Sequence, residues 1–119
     1  MSRIENREYK KDFDNEKNID IENIAAYELD KYMKQWGDKS VLVDVRDKIK
    51  YDTRHIEGAI NISYKDMQNG KFNLPKEKII VLYCDRGGLS MTAARYLSGL
   101  GYDVRNVVGG IRNYRPRKK

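Results

Sequence analysis

The sequence predicts an α/β fold with a mostly parallel central sheet flanked by helices. Three observations carry this reading. Val41-Leu42-Val43-Asp44-Val45 and Ile79-Ile80-Val81-Leu82-Tyr83 are almost wholly apolar, as strands covered on both faces must be. Segments with apolar residues at helical spacing alternate with such runs. The only cysteine, Cys84, closes the second run just before a glycine turn, which puts it at the carboxyl end of a strand, where open α/β sheets bind ligands.

Residues Met1 to Asn18 mix both signs of charge with few apolar side chains and are expected to form an extension (residues 1–18) to a domain spanning residues 19–114. Ile21, Ile24, Ala25, Leu29, Tyr32 and Met33 recur at helical spacing, predicting one helix from about Ile19 to Trp36 that Gly37-Asp38 ends. The strand Val41 to Val45 follows, with the polar exit Asp44-Val45-Arg46. Lys48 to Arg54 reads as a surface loop or short helix, His55 to Ile62 as a turn and short strand, and Tyr64 to Met67 as a helical turn. Gln68 to Lys78, with Asn69-Gly70 and Pro75, reads as a loop. After the Cys84 strand, Met91 to Leu100 is expected to be a helix that turns Met91, Ala94, Leu97 and Leu100 to one face and ends at Gly99 and Gly101. Val104 to Val108 supplies the last strand, which Gly109-Gly110 breaks before a short segment around Ile111 and Tyr114. Residues 115–119 form a basic tail.

At 119 residues the chain has the size of one domain, and 35% charged residues with a mean hydropathy of -0.83 describe a soluble surface around a modest core. No apolar run approaches the roughly 20 residues of a spanning helix, and Met1 to Lys17 lacks the apolar centre of a secretory signal. A cytoplasmic location without a membrane partner is the expectation. Of the net charge of +6, Arg112, Arg115, Arg117, Lys118 and Lys119 supply five, so the basicity is local. No aromatic platform or groove-reading helix accompanies it, and nucleic acid is not expected as the main ligand. One cysteine and one histidine, His55, exclude an internal disulfide and are too few for an ordinary His/Cys metal site, so neither metal nor cofactor is expected. The sequence leaves the oligomeric state open.

The chemistry concentrates in Cys84-Asp85-Arg86-Gly87-Gly88-Leu89-Ser90. A lone cysteine ending a buried strand is usually an inert core residue. Here a glycine turn and a helix start follow at once, so unpaired backbone amides and the positive end of a helix dipole point at the sulfur and favour a thiolate. Gly87 and Gly88 are expected to reach positive φ and let amides between Asp85 and Ser90 converge on one anion. Ser90 is expected to add a hydroxyl donor or to cap the helix. Arg86 reads either as a contact for an anionic donor or as a surface arginine.

Four segments in order, Leu42-Val43-Asp44-Val45-Arg46, His55-Ile56-Glu57-Gly58-Ala59-Ile60-Asn61-Ile62, the Cys84 loop and Gly109-Gly110-Ile111, resemble single-domain rhodaneses from about Ile19 to Tyr114. The resemblance implies a rhodanese-like three-layer fold. It also implies a sulfurtransferase in which Cys84 takes the outer sulfur of a donor such as thiosulfate, releases sulfite and holds the sulfur as a persulfide. A thiophilic acceptor then removes it: cyanide in an assay, a small thiol or a protein cysteine in the cell. Asp44 and Arg46 match family positions that support the architecture. His55 matches a hydrogen-bonded structural histidine rather than a general base, since a thiolate formed by backbone donors needs no base.

The sequence departs from the family pattern in three places. Asp85 follows the cysteine where a basic or neutral residue is common, and its carboxylate is expected to repel an anionic donor and disfavour the thiolate. Leu89 stands where arginine or a small hydroxyl residue is common. Lys50 stands where a carboxylate commonly precedes the aromatic at Tyr51, so Arg46 is expected to pair with Glu57 or Asp47. A phosphatase or arsenate reductase of the same architecture would need arginine six residues after the cysteine, and that residue is Ser90. A persulfide carrier or binding module with low turnover is the remaining alternative.

Overall fold

The computed structural model describes residues 21–116. The expectations for residues 1–18, and for 117–119 of the basic tail, lie outside the described residues. Numbered in chain order, β1 (Glu22–Ala25), β2 (Ser40–Asp44), β3 (Ile60–Asn61), β4 (Ile79–Tyr83) and β5 (Asp103–Val108) form one sheet with the spatial order β1-β5-β4-β2-β3. Every pairing is parallel. The helices are α1 (Leu29–Trp36), α2 (Lys48–Thr53), α3 (Tyr64–Gln68) and α4 (Gly88–Gly99).

Because side chains alternate along a strand, the central strand β4 feeds two separate cores. Ile80 and Leu82 join Val43, Met67, Ala93, Ala94 and Leu97 on the α3 and α4 side. Val81 and Tyr83 join Leu29, Leu42, Ile56 and Val107 on the α1 side. This is the three-layer α/β arrangement that the alternating pattern implies.

The predicted helix from Ile19 to Trp36 is in fact two elements. Glu22–Ala25 is a strand whose Ile24 lies opposite Val107 of β5, and α1 begins only at Leu29. Ile21 and Ile24 share helical spacing but are buried in different cores, one on each side of the sheet. The open edge of β5 offers hydrogen bonds to any extended segment beside it, and that tertiary pairing overrides the local period.

The helix after Cys84 also starts earlier than the sequence suggests. It begins at Gly88, with Gly87 at the N-cap, and its buried residues are Ser90, Ala93, Ala94 and Leu97, while Leu100 is exposed. Two adjacent alanines give this face the small side chains that allow a helix to lie close on β4 and β5. Ser90 therefore sits inside the first turn instead of capping it. The segments from Lys48 and Tyr64 are helices, α2 and α3, and the latter is capped by Ser63, whose hydroxyl accepts from the amide of Asp66 at 3.1 Å.

Candidate active site

Cys84 continues the parity of Ile80 and Leu82, so its side chain belongs to the α4 core while its backbone leaves the sheet. Two glycines shape the loop that follows. Gly87 takes φ +113°, and a Cβ there would crowd the Gly109 amide at 3.2 Å. Gly110, at φ +58°, lies where a Cβ would run into the carbonyl oxygens of Cys84 and Asp85. Those carbonyls accept from the amides of Ile111 at 2.9 Å and Arg112 at 3.1 Å. The Gly109-Gly110-Ile111 segment thus ties down the outward-facing carbonyls of the cysteine loop, leaving its amides free to turn inward. Gly88 needs no such freedom: its φ is not positive, and a Cβ would meet nothing within 4 Å.

The amides of Gly87 and Ser90 donate to Cys84 Sγ at 3.1 and 3.3 Å. The Ser90 hydroxyl lies 3.5 Å from the sulfur. Burial, with Cys84 only 4% exposed, pushes its thiol up, but the Ser90 hydroxyl and the amides of Ser90, Gly87 and Arg86 together hold it below the ordinary thiol range. The arrangement stabilises negative charge on sulfur.

Arg46 is organised differently from the sequence expectation. Its guanidinium grips Asp44, with Nε to Oδ1 at 3.0 Å and Nη2 to Oδ2 at 2.8 Å, and Nη1 reaches Asp85 Oδ1 at 3.1 Å. Neither Glu57 nor Asp47 is its partner, because Asp44 is two residues away at the end of the same strand and fully buried. Asn61 of β3 clamps the same turn by donating to the carbonyls of Asp44 and Arg46 at 3.0 and 2.9 Å.

Lys50 Nζ completes the cluster by contacting Asp85 Oδ2 at 2.6 Å. Asp85 is thus held by two cations, which keep its carboxyl below the usual carboxylate range, Lys50 having the larger effect. The expected repulsion between Asp85 and an anionic donor is largely cancelled where it arises. Two departures from the family pattern, an unexpected acid and an unexpected base, meet as one ion pair.

A cleft of about 390 Å³ opens over the sulfur, lined by Arg46, Asp47, Lys50, Cys84, Asp85, Arg86, Gly88 and Leu89. Arg86 is exposed and, among the described residues, has no ion-pair partner. Leu89 is 42% exposed on the rim. His55 does not join these residues. It is exposed, its Nδ1 lies 2.8 Å from the Tyr51 carbonyl oxygen, and its ring stacks on Tyr51 at 3.9 Å.

The model of the rhodanese-like domain matches residues 25–116. The chain belongs to the rhodanese-like family. A tRNA sulfurtransferase of Desulfurococcus amylolyticus is 40% identical over 76 residues, 64% of this chain but only 15% of its own length. The thiosulfate sulfurtransferase GlpE of Coxiella burnetii is 30% identical over 96 residues, covering 80% of this chain and 85% of its own. The crystal structure of a rhodanese-like domain protein from Staphylococcus aureus superposes with a TM-score of 0.71 at 25% identity, over 82% of this chain and 94% of that one.

Within this rhodanese-like domain, two residues at the site were not identified from the sequence as contributors. Lys50 could have been found by reading its odd charge together with that of Asp85. Asn106 of β5, buried at 2% exposure, is the one amide in an otherwise valine-rich strand and contacts Ser90. No helix among the described residues is long and apolar enough to cross a membrane.

Proposed function

We propose that the protein is a sulfurtransferase in which Cys84 carries sulfane sulfur from a small anionic donor of the thiosulfate type to a thiol acceptor. The observation that carries this reading is the convergence of the Gly87 and Ser90 amides on Cys84 Sγ beneath an open cleft. The thiolate attacks the outer sulfur of the donor, forming a new S–S bond. The donor's own S–S bond breaks, and sulfite leaves with the electron pair. The outer sulfur of the resulting persulfide carries the negative charge, which the loop amides stabilise as they did the thiolate. An acceptor thiolate then attacks that outer sulfur, and Cys84 leaves as the thiolate again.

Within this reading Arg86, which has no ion-pair partner among the described residues, meets the donor's anionic end, while Lys50 and Arg46 keep Asp85 from opposing it. Asp44, Arg46 and His55 hold the frame. The exposed Leu89 on the rim favours an acceptor that brings an apolar surface, such as a protein cysteine, over a small ion. An oxyanion-transferring enzyme would place arginine at position 90, where a buried serine bonded to the sulfur stands instead.

The test is incubation of the full chain with thiosulfate, with intact mass and sulfite release as readouts. Wild type is expected to gain one sulfur atom and release sulfite, and Cys84→Ser to do neither. Hydrolysis of an aryl phosphate without sulfur loading would overturn the reading, whereas loading without turnover to cyanide or thiols would make the protein a persulfide carrier.

A further inference from the structure

A row of polar side chains leads from Cys84 away from the cleft to the far edge of the sheet. Cys84 Sγ lies 3.5 Å from Ser90 Oγ, Ser90 Oγ lies 2.5 Å from Asn106 Oδ1, and Asn106 Nδ2 lies 3.2 Å from Asn23 Oδ1. Ser90 and Asn106 are 0% and 2% exposed, whereas Asn23 reaches the surface. Parallel pairing of β1 with β5 sets Asn23 directly opposite Asn106. The row therefore depends on the edge strand that the sequence pattern did not reveal.

The Ser90 hydroxyl has one hydrogen, and three acceptors compete for it: Asn106 Oδ1, the Gly87 carbonyl at 3.2 Å and, once ionised, Cys84 Sγ. With Cys84 as a thiol, all bonds run outward: S–H donates to Ser90 Oγ, Ser90 donates to Asn106 Oδ1, and Asn106 Nδ2 donates to Asn23 Oδ1. With Cys84 ionised, the sulfur has nothing to donate and attracts the Ser90 hydrogen. If Asn106 kept its orientation, Ser90 Oγ and Asn106 Oδ1 would then face each other at 2.5 Å with no hydrogen between them. Two buried acceptors in contact are costly. An amide can present either end from nearly the same atomic positions, so turning Asn106 over removes the conflict. Its Nδ2 then donates to Ser90 Oγ, and its Oδ1 accepts from the similarly turned amide of Asn23.

We propose that Asn106 is a positioning residue for Cys84: by reversing its amide, with Asn23 as the surface terminus, it releases the Ser90 hydroxyl hydrogen to the ionised sulfur. No proton travels along the row. The proton lost by Cys84 leaves through the cleft, and the remaining bonds reverse direction. The inference rests on Cys84 working as a thiolate, but its test reads ionisation alone and needs no sulfur donor, so failure of sulfur transfer and failure of this row are distinguishable.

The measurement is the pH dependence of Cys84 alkylation by iodoacetamide, followed by intact mass on the full chain. The charged side chains lining the cleft, Arg46, Asp47, Lys50, Asp85 and Arg86, stay unchanged in every variant. So does Arg105, beside Asn106 on β5, which pairs with Glu22 at 2.8 Å and with Asp103. Asn106→Asp offers Ser90 only acceptors, and its inflection is expected to move up, slowing alkylation roughly tenfold at a fixed pH below the inflection. Asn23→Asp, at an exposed position that does not threaten folding, pins the Asn106 Nδ2 outward and is expected to shift it in the same direction by about 2- to 3-fold. Both effects are expected to vanish in a Ser90→Ala background, because the row is then cut. Unchanged inflections in folded Asn106→Asp and Asn23→Asp, or shifts that persist in full without Ser90, would overturn the proposal. If Asn106→Asp does not fold, Asn23→Asp alone decides.

Discussion

Lys50 Nζ and Asp85 Oδ2 stand 2.6 Å apart across the mouth of the Cys84 cleft, joining α2 to the cysteine loop. The pair is partly exposed, at 57% and 38%, so it contributes little to folding. Its importance is local charge at a site proposed to admit an anion.

Lys50→Ala leaves Asp85 with Arg46 alone and makes the mouth one charge more negative. The expected result is a fall in kcat/KM for thiosulfate of about 3- to 10-fold, equivalent to roughly 1 kcal/mol. Asp85→Asn added to Lys50→Ala restores the wild-type charge and is expected to restore most of the rate. The deficit of the single variant is also expected to shrink at high salt, because the pair is reached by solvent. Steady-state sulfite release at two ionic strengths checks this, and a double variant as slow as the single one contradicts it.

Cys84 is held below the ordinary thiol range because the hydrogen bonds from Ser90, Gly87 and Arg86 outweigh its burial. Alkylation of the wild type is therefore expected to inflect below the free-thiol value of about 8.5. The consequence for stability has a definite sign. Between the folded-state inflection and the unfolded value, the unfolded chain binds more protons, so stability rises with pH there. The contribution is lost as pH falls through the folded inflection. Urea denaturation across this pH range, compared with Cys84→Ser, isolates it: the serine variant is expected to lack that slope.

Gly110→Ala forces a side chain into φ +58° and into the carbonyls of Cys84 and Asp85. The expected cost is about 2–4 kcal/mol of stability, with the Cys84 inflection moving up as the loop shifts. Gly88→Ala is the matched control. That position has open space and a helical backbone, so the substitution is expected to be neutral or to stabilise by up to about 1 kcal/mol. Thermal unfolding with alkylation on both variants separates loop geometry from a general intolerance of substitution.

The strands from β2 to β5, the helix after Cys84 and the turn at Gly87 were legible because each is a short-range pattern. A short apolar run rich in β-branched residues and bounded by polar or turn residues favours a buried strand, and Gly87 at a strand-to-helix turn leaves few conformations. Residues from Ile21 to Ala25 were misread because β1 has no local signature. Its burial pattern over Glu22–Ala25 comes from the sheet edge it joins.

By itself the sequence determined the α/β class, the order of its central elements and a single cysteine at the carboxyl end of a buried strand, because these depend on hydrophobic period and backbone freedom within a few residues. Only the tertiary structure decided the charge and hydrogen-bond partners of that cysteine's surroundings. Asp85 meets Arg46 and Lys50, 39 and 35 residues away, and Ser90 meets Asn106 and, through it, Asn23 across the sheet. Electrostatic and hydrogen-bonding contacts act over a few ångströms of space, and no spacing along the chain announces which distant side chains the packing of the sheet will bring within that reach.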